Sequence, residues 1–157
     1  NLMSYVIYEG KSELVPLSDE IKHIQDYLDL EKLRYGDRLQ SSIEVSGVID
    51  NRYIPPLILL PFIENSFKHG NTYSDPFPIN IEIAVNNKSL KYIVRNELCL
   101  NEENLKNKEV QEGIGLKNTI RQLDLLFNSQ YNLEIKEDST TFNVILSIPV
   151  YDKMSDS

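Results

Sequence analysis

Residues 59–70 constrain the fold most, because they read as one helix with two opposed faces. At about 100° per residue, Glu64, Asn65, Lys68 and His69 fall within one arc of roughly 140°. Leu59, Phe62, Ile63 and Phe67 occupy the opposite arc. One face can therefore pack on a sheet, while the other presents a carboxylate, an amide oxygen, an ammonium and an imidazole. An amide oxygen suits Mg²⁺, which prefers hard oxygen ligands and keeps several waters. A lysine one turn away suits phosphate oxygens. Taken alone, an ordinary amphipathic helix with a solvated polar edge is the favoured reading. A second motif, much later in the chain, changes that judgement.

The second motif is Gly113-Ile114-Gly115-Leu116-Lys117-Asn118, which runs into a helical pattern. Leu116, Ile120, Leu123 and Phe127 recur at the spacing of one buried helical stripe. Glycines without a Cβ let the backbone approach a ligand closely, and the N–H groups opening a helix form an anion site. The expectation is a glycine turn followed by a helix. Neither a Walker-type loop nor a full dinucleotide fingerprint is present.

Around these motifs the periodicities alternate. Ser18 is expected to cap a helix whose stripe includes Ile21, Ile24, Leu28 and Leu33, with Gly36 as its stop. Ile43 and Val45 alternate as a strand does; Asp50-Asn51 then reads as a turn and Tyr53-Ile54 as a return strand. Pro55-Pro56 is expected to open the motif helix, with a kink or late start at Pro61. Residues 71–78 read as a loop. Ile79, Ile81, Ile83 and Val85 mark a strand, Asn86-Asn87-Lys88 a turn, and Leu90, Tyr92 and Val94 a second strand. Periodicity vanishes from Glu97 to Glu112, a polar stretch that reads as a surface loop or as a lid ordering around a ligand. A hairpin built on Leu133, Ile135, Phe142, Val144, Leu146 and Ile148 closes the pattern, with a frayed tail after it.

In this order, with strands between them, the motifs carry a resemblance. The chain resembles the ATP-binding domain of a LytS-like (autolysin-sensor type) sensor histidine kinase, of the gyrase/chaperone/kinase/mismatch-repair ATPase superfamily. Val15 to Ile21 and Tyr27-Leu28 through Gly36 are similar to the family's linker helix. Ile54-Pro55-Pro56-Leu57, Pro61 to Asn65, Lys68-His69-Gly70 and Gly113 to Asn118 match further motifs, so the resemblance covers nearly the whole chain. It implies an α+β fold of the Bergerat type: a two-layer α/β sandwich with a mixed, mostly antiparallel sheet and helices on one face. The motif helix and the Gly113 turn would face each other across one open end of the sheet.

The resemblance also implies roles. Asn65 matches the Mg²⁺-binding asparagine, Lys68 the phosphate-contacting lysine, and His69 a position that packs on nucleotide. Glu64 would order water or metal, and a solvated carboxylate fits it as well. Gly113, Ile114, Gly115, Leu116, Lys117 and Asn118 would wrap the phosphates. Asn96 aligns with the aspartate that reads the adenine amine, and an amide oxygen accepts the same bond. The family's Asp-x-Gly-x-Gly turn is missing there: the segment is Val94-Arg95-Asn96-Glu97-Leu98. Pro61 stands where gyrase-like ATPases carry a catalytic carboxylate, which favours phosphoryl transfer over autonomous hydrolysis. His23 lacks the flanks of an acceptor histidine and reads as a surface residue.

Composition agrees. The 157 residues fit one domain, and the net charge of −8 argues against a nucleic-acid partner. Cys99 is the only cysteine, so an internal disulfide is excluded and a small apolar filler is the better reading. No stretch reaches the roughly 20 apolar residues that span a bilayer. The chain opens on Asn1 rather than Met, which suggests a piece of a longer protein.

The expected organisation is the end of a dimerisation helix and a linker helix over 1–36, the catalytic domain over 37–150, and a flexible tail over 151–157. The sequence reading is a cytoplasmic catalytic domain of a membrane-anchored kinase that binds ATP and Mg²⁺. It would transfer the γ-phosphoryl group to a histidine outside this chain. The implied partners are the dimerisation and phosphoacceptor helices of a homodimer and a downstream response regulator, with no membrane contact by this piece. The rival readings are a degenerate module that binds partners or nucleotide without transfer, and a hydrolysing switch of the gyrase or chaperone kind.

Overall fold

The computed structural model describes residues 14–70, 73–98 and 102–152, with side chains from 115 onward in the last segment. Residues 1–13 (which include the expected end of the dimerisation helix), Asn71, Thr72, Cys99 to Asn101 and the tail from Lys153 lie outside the described residues. A short strand β1 (Val15–Pro16) leads into helix α1 (Leu17–Tyr35) and strand β2 (Leu39–Ser46). Then follow β3 (Tyr53–Ile54), α2 (Leu60–His69), β4 (Phe77–Val85), β5 (Ser89–Glu97), α3 (Glu102–Phe127), β6 (Asn132–Glu137) and β7 (Thr141–Pro149).

The main sheet has five strands in the order β2-β4-β5-β7-β6. Only the β2–β4 pair is parallel; the others are antiparallel. Alternation sorts its faces. Phe77, Ile79, Ile81 and Ile83 of β4, Leu90, Tyr92 and Val94 of β5, and Phe142, Val144 and Leu146 of β7 are buried in one core. Asn80, Glu82 and Ala84 point the other way and are exposed. Ile24 and Leu28 of α1, Phe62, Ile63 and Phe67 of α2, and Leu123 and Phe127 of α3 complete that core. Phe67 is its pivot, with Tyr27, Tyr35 and Phe77 ring centroids at 5.7, 5.8 and 5.5 Å. Each such side chain contributes about 1.5–3 kcal/mol on burial. The result is the expected two-layer sandwich, a mixed and mostly antiparallel sheet with helices on one face.

Several local expectations are corrected. Helix α1 begins at Leu17, so Ser18 lies inside the first turn and makes no cap bond. Gly36 does end that helix, its N–H donating to the Lys32 carbonyl. Tyr53-Ile54 does not return along β2; it pairs with β1, and Tyr53 also bridges Tyr151. β2 pairs instead with β4, where Leu39 and Ile43 meet Phe77 and Ile81, and forms one edge of the main sheet. The motif helix does not open at Pro55-Pro56; it makes the late start expected at Pro61, beginning at Leu60 with Pro61 in its first turn, where a missing N–H costs nothing. The 71–78 loop is shorter than expected, because Phe77 and Pro78 already belong to β4.

The largest departure lies in 102–118. The expected polar loop and glycine turn are one continuous helix of 26 residues from Glu102 to Phe127. Glu, Lys, Leu and Gln are strong helix formers. Two interior glycines cost roughly 0.5–1 kcal/mol each, too little to interrupt so long a run.

Candidate nucleotide cleft between helices α2 and α3

The last turns of α2 set the polar edge. Asn65 and Glu64 are half-buried and Lys68 is exposed. The opposite edge holds Phe62, Ile63 and Phe67 in the core, so the helix cannot rotate its polar residues away from α3. Between α2 and α3 lies a cavity of about 190 Å³ lined by Pro61, Phe62, Glu64, Asn65 and Lys68 on one side and by Gly115, Leu116 and Thr119 on the other. Thr119 donates its hydroxyl to the Gly115 carbonyl at 3.1 Å. Glu64, Asn65, Lys68, Gly115 and Leu116 thus come together, although they stand about fifty residues apart in sequence.

Among the described side chains, none of the other candidates lines this cavity. Lys117 and Asn118 are exposed on α3, and Gly113 and Ile114 lie on the same helix before it reaches the cavity. In that helix the amide N–H groups of 113–118 bond the carbonyls four residues back. They do not form the expected phosphate-wrapping turn; the helix propensity of the flanking residues is the cause. His69 is half-buried at the end of α2. Glu64 also faces α1. Burial first, then the Glu31 and Glu64 carboxylates, push the Tyr27 phenol up to about 12. His23 is exposed.

Asn96 sits apart, on the inner face at the end of β5. It is only 2% exposed. Its Nδ2 donates to the Glu97 carbonyl at 3.0 Å, while its Oδ1 is buried without a partner among the described residues. A buried amide oxygen left without a donor is costly, so the position suits a ligand that brings an N–H. Gly70, which ends α2, forms a bridge with Leu98 just after β5. That bridge ties the Asn65 helix to the Asn96 strand.

A wider groove of about 730 Å³ runs between the end of α3 and β6, beside Asp124, Tyr131 and Leu133. It holds none of the candidate residues. Its Tyr131 hydroxyl donates to Asp124, which with burial pushes that phenol up to about 12. No cluster of three or more His, Cys, Asp or Glu able to hold a metal exists among the described residues. No helix among them is long and apolar enough to cross a membrane.

The family model described as histidine kinase matches residues 1–39. The sensor histidine kinase BtsS of Escherichia coli K12 is 41% identical over 61 residues, covering 39% of this chain and 11% of that protein. The sensor protein LytS of Oceanobacillus iheyensis is 37% identical over 84 residues, or 52% of this chain and 14% of that protein. The catalytic domain of histidine kinase ThkA superposes with a TM-score of 0.58 at 13% identity, over 87% of this chain and 93% of that one. Sequence and fold together support a LytS-like histidine kinase ATPase domain. The chain spans 11–14% of the length of those two curated relatives.

Within this kinase-type domain, three residues escaped the sequence reading. Thr119 lines the cavity because it lies one helical turn after Gly115, on the same face of α3. Glu20 and Tyr92 are buried beneath the start of α2, and Glu20 could have been found: it lies on the apolar stripe of Leu17, Ile24 and Leu28, where a carboxylate is out of pattern. Tyr92 reads as ordinary alternation.

Proposed function

We propose that the domain binds Mg²⁺-ATP at the α2–α3 cleft. It would then pass the γ-phosphoryl group to a histidine outside the described residues. The observation that carries this reading is the convergence of Asn65 and Lys68 with Gly115 and Leu116 on one cavity. The Asn65 amide oxygen offers a hard ligand, which fits a cation that keeps most of its shell as water and phosphate oxygen. When bound, Mg²⁺ would neutralise charge on the phosphates. Lys68, exposed at the cavity edge, supplies a mobile cation for the same oxygens. Asn96 Oδ1, buried and unpartnered, suits the adenine amine. Positioning and charge neutralisation are then the catalytic strategy. His69 would pack on nucleotide.

The reading extends beyond this chain. The acceptor would lie on dimerisation helices of a homodimer, the phosphoryl group would pass on to a response regulator, and a membrane anchor would lie elsewhere in the full protein. Residues 1–36 would join those helices to the catalytic domain at 37–150. Pro61 lines the cavity where a hydrolytic carboxylate stands in gyrase-like enzymes, which disfavours a hydrolysing switch. A second reading, a non-catalytic binding module, is favoured by the helical state of 113–118, whose N–H groups are already used.

Calorimetric titration of ATP with and without Mg²⁺, on the wild-type chain and on Asn65→Ala, separates them. Mg²⁺-dependent binding lost in Asn65→Ala supports the kinase reading, whereas equal affinity in the variant sinks the metal role. The chain alone is expected to leave labelled ATP unhydrolysed and to carry no label on His23 or His69.

A further inference from the structure

Helix α1 buries one carboxylate against the turn that launches the motif helix. Glu20 is 2% exposed, and its Oε1 accepts the Leu57 N–H at 2.9 Å. Its Oε2 is buried without a partner among the described residues. Leu57 has φ +60°, a region that leucine rarely adopts. Two residues on, the Leu59 carbonyl accepts the hydroxyl of Tyr92 at 3.0 Å, and Tyr92 is wholly buried in the sheet. An unfavourable turn is therefore held from α1 by a carboxylate and from β5 by a phenol. Helix α2, with Pro61 and Asn65, begins at the next residue.

An apolar side chain would fill this position at lower cost, since a half-satisfied buried carboxylate is expensive. Packing therefore gives no reason for Glu20. A directional bond does, because a helix held only by apolar contacts can slip along its neighbour. We propose that Glu20 is a positioning residue that couples α1 to the nucleotide cleft, fixing the Leu57 turn and through it the height of Asn65 beside α3. The histidine kinase match over residues 1–39 includes the whole of α1. Shifting α1 frees the Leu57 N–H and lets the start of α2 move. The coupling rests on the α2–α3 cleft being the nucleotide site.

The test compares Glu20→Gln, which keeps an acceptor oxygen, with Glu20→Met, which keeps the volume and loses the acceptor. In the full 157-residue chain, hydrogen exchange at the Leu57 amide is measured without nucleotide, and Mg²⁺-ATP affinity by calorimetry. Glu20→Met should speed Leu57 exchange by about tenfold or more and weaken Mg²⁺-ATP by about fivefold or more. Glu20→Gln should hold both within about twofold of wild type. Equal Leu57 exchange in the two variants overturns the clamp, and equal ATP affinity overturns the coupling even if Glu20→Met melts lower. If the wild-type chain binds no nucleotide, the site reading fails by itself. The proposal then fails with it as a coupling, while the exchange arm still decides whether Glu20 holds the turn.

Discussion

Gly70 lies so close to Asn96 that a Cβ on the glycine would stand 3.0 Å from the asparagine Nδ2. The same Cβ would run into the Ser66 carbonyl and come within 3.1 Å of Phe77 Cε1. The Ser66 carbonyl cannot step aside, because it accepts the Gly70 N–H that closes α2. Gly70→Ala should therefore destabilise the chain by about 1–3 kcal/mol, the usual cost of overpacking. It should also weaken adenine-nucleotide binding, since relieving the 3.0 Å contact needs a shift of the Asn96 amide. Urea unfolding measures the first and calorimetry the second; an unchanged midpoint would show that the backbone yields freely.

The inner face of the sheet was legible from sequence because each strand of Ile79–Val94 and Phe142–Ile148 alternates cleanly, and only one register buries that set. The α2 face was legible for the same reason at helical period. What escaped reading is where tertiary context outweighs local signal. Tyr53-Ile54 looks like a hairpin return only if its partner must be sequence-adjacent, whereas β2 found β4. The glycines of 113–115 read as a turn because glycine usually marks one, yet a long run of strong helix formers carries the helix through them. For the cleft, Asn65 and Lys68 could be singled out as a pair, but Thr119 could not, since it shares a face with Gly115 only when the helix runs through the glycine.

Gly115 offers a direct probe of that helix. It is exposed, and a Cβ there meets nothing within 4 Å. Gly115→Ala should stabilise the apo chain by about 0.5–1 kcal/mol, through lower unfolded-state entropy and better helix propensity. If nucleotide needs the 113–118 N–H groups, the helix must open locally, and the same substitution should weaken ATP by a similar free energy. Paired melting curves and titrations check both. A more stable variant with unchanged affinity would mean that nucleotide binds the helical form.

Asn96 tests the adenine contact. A neutral hydrogen bond contributes about 0.5–1.5 kcal/mol net, so Asn96→Ala should weaken ATP by roughly tenfold or less. A carboxylate accepts better than an amide, which argues for Asn96→Asp as a gain in binding. The structure makes it costly, since Asn96 Nδ2 donates to the Glu97 carbonyl and an aspartate would face that carbonyl as an acceptor. Asn96→Asp should lower apo stability by about 1–3 kcal/mol while keeping the preference for ATP over GTP. Unchanged ATP affinity and ATP/GTP preference in Asn96→Ala would mean that adenine is read elsewhere.

Glu20 sets a pH dependence of unusual sign. Burial raises its pKa above the ordinary 4.5, the Leu57 N–H and His23 oppose the rise, and Asp19 adds to it. The folded state thus binds the proton more tightly than the unfolded one. The contribution to stability is complete below 4.5 and is lost as pH climbs through the raised value. Denaturation curves across that range should show stability falling with pH in the wild type and a flatter profile in Glu20→Gln. Matching slopes would place the carboxylate in contact with water.

Asp138 acts in the opposite direction, at the turn joining β6 to β7. Its Oδ1 accepts the Thr140 N–H at 2.8 Å and the Thr141 N–H at 2.7 Å. Its Oδ2 accepts the Thr141 hydroxyl at 2.9 Å. These bonds, the Thr140 amide first, hold the carboxyl down to about 2 from its ordinary 3.8. The folded state therefore favours the ionised form, and its contribution is present above 3.8 and lost as pH falls toward about 2. Asp138→Asn keeps an acceptor oxygen for the two amides but cannot titrate. It should be somewhat less stable than wild type near neutral pH and should lose less stability on acidification. Asp138→Ala removes the turn bonds altogether and should fray the β6–β7 hairpin, seen as faster amide exchange at Thr140 and Thr141 at every pH. If wild type and Asp138→Asn lose stability in parallel between pH 4 and pH 2, the turn carboxylate is not the group whose protonation acid unfolding reports.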